Sequence, residues 1–166
     1  MQRPSFAIRS GMTIRREDAD RAGPRWVVAQ AEAELTDRYG GLDDTELGLT
    51  PPTFDPPEGA FIVARSPGNA IPAGGVGVRT VGPALGEVKR LWVDPAWRGR
   101  GLGRGLMDAL EVEANRLGLV ALRLGTGDRQ PEAVALYQST GWEREFLDAD
   151  GWPLAPGHLC YSKRLD

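Results

Sequence analysis

The most constraining stretch of this chain is Gly86 to Met107, GEVKRLWVDPAWRGRGLGRGLM. It reads as an extended segment, a Pro-marked turn, a Gly/Arg loop and the opening of an amphipathic helix. In the loop Arg98-Gly99-Arg100-Gly101-Leu102-Gly103 three glycines let the backbone approach a ligand closely. They do so at a helix N-terminus, where unpaired N–H groups and the helix dipole favour an anion such as pyrophosphate; a tight turn with solvated arginines is the alternative. Between Lys89 and Arg104 five cations (Lys89, Arg90, Arg98, Arg100, Arg104) stand against one anion, Asp94, although the whole chain has a net charge of −3. Positive charge concentrated on an acidic chain suits a small phosphorylated ligand; binding to nucleic acid would favour a basic whole domain. The glycines miss the dinucleotide pattern G-x-G-x-x-G in every register, because Arg104, Leu106 and Asp108 fall where the third glycine belongs. Gly-Lys-Ser/Thr is also missing, so a P-loop is disfavoured.

At 166 residues the expectation is one domain over 1–166, with one core. Hydrophobic residues at 41% and charged residues at 26% describe an ordinary globular chain, and 22 Gly with 13 Pro make it rich in turns. One cysteine, Cys160, and one histidine, His158, can build neither an internal disulfide nor a zinc cluster, so no metal is expected. The start, MQRPSFAIRSGMTIRR, lacks a signal-like apolar stretch, and no uninterrupted apolar run is long enough for a membrane span. A cytoplasmic protein with no membrane partner is expected.

The hydrophobic period alternates along the chain. Strands are expected at Phe6–Arg9, Thr13–Arg15, Ala60–Ala64, Ala73–Arg79, Gly86–Val93, Ala121–Leu124, Glu143–Leu147 and His158–Leu165. Helices are expected over about Asp20–Tyr39 with Ala22, Trp26, Ala29 and Ala33 on one face, from Leu102 to Gly118, and around Ala133–Thr140. The segment 41–59, with four prolines and five acidic residues, suits a surface loop, or a short helix with a loop, rather than core, and is expected to face a substrate. Its Asp43, Asp44, Glu46 and Asp55 would attract a cation; a plainly solvated loop is the alternative.

The Gly/Arg segment resembles the coenzyme A binding motif of the GNAT acetyltransferase superfamily, Arg/Gln-x-x-Gly-x-Gly/Ala, matched by Arg98, Gly101 and Gly103. Further on, LRLGTGDRQPEAVALYQSTGW resembles the family's strand, turn and helix with its Ala-x-x-x-Tyr-x-x-x-Gly-aromatic signature, here Ala133, Tyr137, Gly141 and Trp142. The likeness runs from about Ala60 to Trp142. It implies an α+β fold: a strongly twisted, mostly antiparallel sheet of six to seven strands, splayed in its centre and flanked by about four helices. Acetyl-CoA would enter the gap like an extra strand and donate its acetyl group to an amine.

On that resemblance the backbone of Leu91, Trp92 and Val93 contacts the pantetheine arm. The amides of Arg98, Gly99, Arg100, Gly101, Leu102, Gly103 and Arg104 take the pyrophosphate, with Arg100 or Arg104 adding charge. Gln130 stands where relatives often have Asn, and with Ala133 it flanks the arm. Tyr137 holds the position of the general acid for the thiolate; simple core packing is the alternative. Val93 N–H is the expected oxyanion donor. Glu87, eleven residues before Arg98, has the spacing of the catalytic glutamate of histone-acetylating relatives, and partial burial would raise its pKa; a salt bridge to a neighbouring Arg is the alternative. His158 is a second candidate base, and Cys160 reads as packing. Gly125 replaces a Glu common in relatives. The function expected is N-acetylation of a primary amine of a small molecule or peptide by direct attack in a ternary complex, with a non-catalytic acyl-CoA-binding regulatory module as the alternative. Because clefts shared between protomers are common in the superfamily, the resemblance also implies a homodimer as an expectation.

Overall fold

The computed structural model describes residues 11–42 and 51–166. The expected strand at Phe6–Arg9 and the acidic residues Asp43, Asp44 and Glu46 lie outside the described residues. In chain order the elements are β1 (Thr13–Glu17), α1 (Ala22–Tyr39), a 3-10 turn (Pro51–Phe54), β2 (Gly59–Arg65), β3 (Gly74–Gly82) and β4 (Leu85–Val93). There follow a second 3-10 turn (Pro95–Trp97), α2 (Leu102–Arg116), β5 (Ala121–Gly127), α3 (Pro131–Ser139), β6 (Glu143–Glu145) and β7 (His158–Arg164). The described residues thus hold three α-helices and two 3-10 turns beside the sheet, where about four helices were expected.

All seven strands join one sheet in the order β1-β2-β3-β4-β5-β7-β6. Every pairing is antiparallel except β4–β5, which is parallel and is crossed over by α2. That parallel pairing is short: Leu85, Gly86 and Glu87 lie opposite Ala121, Leu122 and Arg123, and beyond them the two strands pair no further. The parting has a local cause in β4. Trp92 lies opposite Gly75 while Lys89 lies opposite Gly77, so β4 carries an extra residue, and Arg90 takes φ 60° at this bulge. A bulge bends its strand and increases its twist, which here turns the end of β4 away from β5.

Apolar residues pack on both faces of the sheet. Ile62, Val76, Val78, Leu106, Leu110, Leu122 and Tyr161 form one layer with α2 and α3. Val27, Ala31, Phe54, Phe61, Val63 and Trp92 form the other beneath α1. Strand β2 feeds both, which explains why Ala60–Ala64 is an unbroken apolar run rather than an alternating one. The expected face of α1 is corrected: Trp26 is 43% exposed and Ala22, Ala29 and Ala33 face solvent, whereas Gly23, Pro24, Val27 and Ala31 are buried. The side-chain-free Gly75 explains the choice, since a Cβ there would stand 3.0 Å from Val27 Cγ1. Within 41–59 a short helical turn forms at Pro51–Phe54, but the expectation that this segment stays out of the core is corrected, because Phe54 is buried and packs edge-on against Phe61 at 5.8 Å.

Candidate active site

Where β4 and β5 part, a cleft of about 760 Å³ opens between them, walled by the second half of α1 and the start of α3. Leu91 lies on one lip and Gln130, Ala133 and Tyr137 on the other, so four expected site residues are brought together. The β7 residues His158 and Cys160 also reach this cleft.

Trp92 and Val93 contribute differently. The Trp92 side chain is buried in the layer under α1. Asp94 N–H donates to the Ala73 carbonyl at 2.8 Å, so the neighbouring pair Val93–Gly74 is of the non-hydrogen-bonded kind. Val93 N–H therefore points away from β3, toward the gap.

Beyond the end of β4 lies the Gly/Arg loop. Gly99 and Gly101 have φ of 75° and 82°, and a Cβ built on either meets no atom within 4 Å. Gly101 caps α2 without any side-chain hydrogen bond, so no capping side chain satisfies the first-turn N–H groups. Arg100 is exposed with its guanidinium 5.2 Å from the Trp97 ring centroid, and neither it nor the exposed Arg104 has an ion pair among the described residues. The Arg98 side chain is committed elsewhere: its Nε donates to the Val93 carbonyl at 2.8 Å and its Nη2 to Glu34 at 2.8 Å.

Tyr137 is 5% exposed, with its ring 5.8 Å from Trp142 and 5.7 Å from Tyr161. Burial, aided by Tyr161, pushes its phenol well above the ordinary value, so it stays protonated across the working range. Burial likewise pushes the Cys160 thiol up, against Arg123, which disfavours the thiolate. His158 is exposed at the rim. Gly125 borders the cleft, and a Cβ there would meet nothing within 4 Å, so a side chain at this position would have open space.

Glu87 departs from expectation. It is not a lining residue but the centre of a cation cluster, 2.8 Å from Arg79 Nη2, 3.4 Å from Arg123 Nε and 3.7 Å from Lys89 Nζ. Burial does push its pKa up, but the charge of Lys89 and the hydrogen bond and charge of Arg79, with Arg123, outweigh it and hold the carboxyl below its ordinary value. The expected raised pKa is thus corrected. Arg79, Glu87, Arg123, Ser162 and Glu143 lie opposite one another across five strands, a polar row at the last β4–β5 pair. Removing the carboxylate from three partly buried cations should cost about 2–3 kcal/mol, so Glu87→Gln is expected to destabilise the fold at neutral pH. Because its folded pKa is depressed, this contribution is complete above the ordinary carboxylate pKa of about 4.3 and disappears as pH falls through the folded value. Urea unfolding at pH about 7 and about 3 checks this; an equal deficit at both would contradict it.

Asp55 also departs from its expected role at the rim. Its Oδ1 accepts from the Ala19 N–H at 2.9 Å, which ties the approach to α1 to the segment before β2. Sequence reasoning missed Glu34, Arg38 and Tyr39 of α1, whose charged and aromatic pattern resembles any solvated helix face.

A sheet parted in its middle has a glycine loop beyond the end of one parting strand and a buried phenol on the opposite lip of the gap. The model of the acetyltransferase (GNAT) family matches residues 20–142, and the chain belongs to this family. An IAA acetyltransferase of Azospirillum brasilense is 34% identical over 145 residues, 87% of this chain and 89% of the relative. The N-alpha-acetyltransferase RimI of Mycobacterium tuberculosis is 37% identical over 113 residues, 66% of this chain and 68% of the relative. Among solved structures, a protein described as an acyl-CoA N-acyltransferase from Klebsiella pneumoniae superposes with a TM-score of 0.73 at 28% identity, covering 95% of this chain and 99% of that one. No helix among the described residues is long and apolar enough to cross a membrane.

Proposed function

We propose that the protein transfers the acetyl group of acetyl-CoA to a primary amine of a small molecule or peptide, by direct attack in a ternary complex. The observation that carries this reading is the placing of Leu91 and Tyr137 on opposite lips of one gap between β4 and β5. Two features of the chain fit the coenzyme. Gly99 and Gly101 keep the backbone of this loop open to a close approach, and Arg100 and Arg104 are cations without a carboxylate partner among the described residues.

When bound, the coenzyme supplies an activated acetyl thioester. The amides from Gly99 to Arg104 hold its phosphates at the N-terminus of α2, and Arg100 and Arg104 add charge. Leu91, Gln130 and Ala133 flank the arm. Val93 N–H is the donor aimed at the place where negative charge develops, fixed in direction by the β3–β4 ladder. Tyr137 holds a proton for the departing sulfur, and its buried position keeps that proton in place. Glu87 serves as a strut at the root of the gap rather than as the base, since its cation partners weaken it as a proton acceptor. Proton removal from the amine is then left to water at the mouth, where His158 stands. The RimI relative acts on an N-alpha amine by its name, which supports a peptide N-terminus as one acceptor class to test.

The test is release of free thiol from acetyl-CoA across polyamines, aminoglycosides, amino acids and short peptides, with acetyl-CoA binding measured by calorimetry on the same sample. Amine-dependent release is the expected result. Binding with no release for any amine would favour the regulatory module, and no binding would overturn the assignment of the Gly/Arg loop.

A further inference from the structure

Four charges bridge the cleft on its α1 side. Arg98, hung on the Val93 carbonyl at the end of β4, donates to Glu34 Oε1 at 2.8 Å and Oε2 at 3.1 Å. One helical turn on, Arg38 Nη2 donates to the same Glu34 Oε1 at 3.2 Å. The other guanidinium nitrogen, Nη1, pairs with Glu132 in the first turn of α3 and donates to the Arg129 carbonyl at 3.0 Å. The bridge therefore runs from the β4 lip through α1 to the α3 lip.

Around Arg38 the junction is doubled. Arg129 Nη1 donates back to the Arg38 carbonyl at 2.9 Å, and Tyr39 Oη accepts from Arg129 N–H at 3.2 Å and from Gln130 Nε2 at 3.4 Å. Tyr39 reaches this place because Gly127 has no side chain; a Cβ there would stand 2.0 Å from its hydroxyl. So α1 grips the β5–α3 turn that carries Gln130.

The sheet cannot set the spacing of the two lips, because β4 and β5 stop pairing at Glu87 and Arg123. We propose that Arg38 is a positioning residue that fixes the width of the coenzyme gap, holding Gln130 and Glu132 at a set distance from Val93 and Arg98. The inference rests on the coenzyme reading of this gap. A gap held at its working width spares the coenzyme the ordering of two loose lips, so the bridge shows in affinity. Arg38 suits the task because its planar fork bonds in two directions at once, which a lysine does not reproduce.

The test is calorimetric titration of acetyl-CoA into the unaltered protein, Arg38→Met, Arg38→Lys and Glu132→Gln, with unfolding midpoints for each. Arg38→Met is expected to raise Kd about tenfold at full binding stoichiometry, with Arg38→Lys recovering part of the loss. Glu132→Gln, at an exposed position, should raise Kd in the same direction and keeps the test open should Arg38→Met fail to fold. A residue that only stabilised the fold would lower the unfolding midpoint and the stoichiometry without changing Kd. An unchanged Kd in Arg38→Met and Glu132→Gln, with normal binding by the unaltered protein, would overturn the inference and leave the functional reading standing. No binding by the unaltered protein would overturn that reading, and the inference with it.

Discussion

Tyr137→Phe should lower kcat by about 10²–10³-fold while acetyl-CoA affinity stays within about twofold. Only an oxygen is removed, so the ring contacts with Trp142 and Tyr161 survive and the fold is kept. What disappears is the proton held for the sulfur, a group needed in the transition state and not for binding, and such a loss lowers kcat and kcat/KM together. Because burial pushes the phenol up, its acid form persists to higher pH than in a free tyrosine. The unaltered enzyme should therefore show no fall in kcat from this group as pH rises toward about 10, the ordinary tyrosine value. Steady-state kinetics with the acceptor found by thiol release decides it. Loss of affinity with unchanged kcat would return Tyr137 to simple packing.

Gly101→Val is the second large effect, and it falls on binding. Gly101 has φ 82°, a conformation that costs a β-branched residue about 1–3 kcal/mol, and its side-chain position opens onto free space at the start of α2. Valine would either stand in the way of a phosphate approaching the first-turn N–H groups or turn those groups aside. Acetyl-CoA affinity should fall about a hundredfold, from lost charge-assisted hydrogen bonds. Since a Cβ at Gly101 meets no atom within 4 Å, the core is undisturbed and circular dichroism should be unchanged. Calorimetry with an unaltered Kd would show that the start of α2 is not the phosphate site.

Much of this was legible in the sequence because it depends on neighbours along the chain. The Gly101 cap, the α2 stripe through Leu102, Leu106 and Leu110, and the Tyr137 face of α3 are set by local period and by where glycine falls. The surroundings of Glu87 were not, since Arg79 and Arg123 come from strands on either side and their register is fixed only when the sheet forms. The bulge at Arg90, which opens the sheet, has no residue signature, as arginine seldom adopts positive φ. The α1 bridge was hidden for a similar reason. Glu34 and Arg38 look like an ordinary i, i+4 pair, and only the folded chain brings Arg98 and Glu132 to them. On α1 the exposed Trp26 misled the apolar face, because Gly75 across the interface, rather than hydrophobicity, selects Val27.

A sheet that parts in its middle has four edges instead of two. Among the described residues the outer pair, β1 with Arg15, Arg16 and Glu17 and β6 with Glu143, Arg144 and Glu145, is charged in the manner that discourages another chain from adding a strand. The inner pair lies recessed beneath α1, past the last β4–β5 rung. The inner backbone is thus reached through a slot. A guest in that part of the cleft must be slender, extended and furnished with amides of its own, so shape admits backbone-like molecules before any side chain has been read.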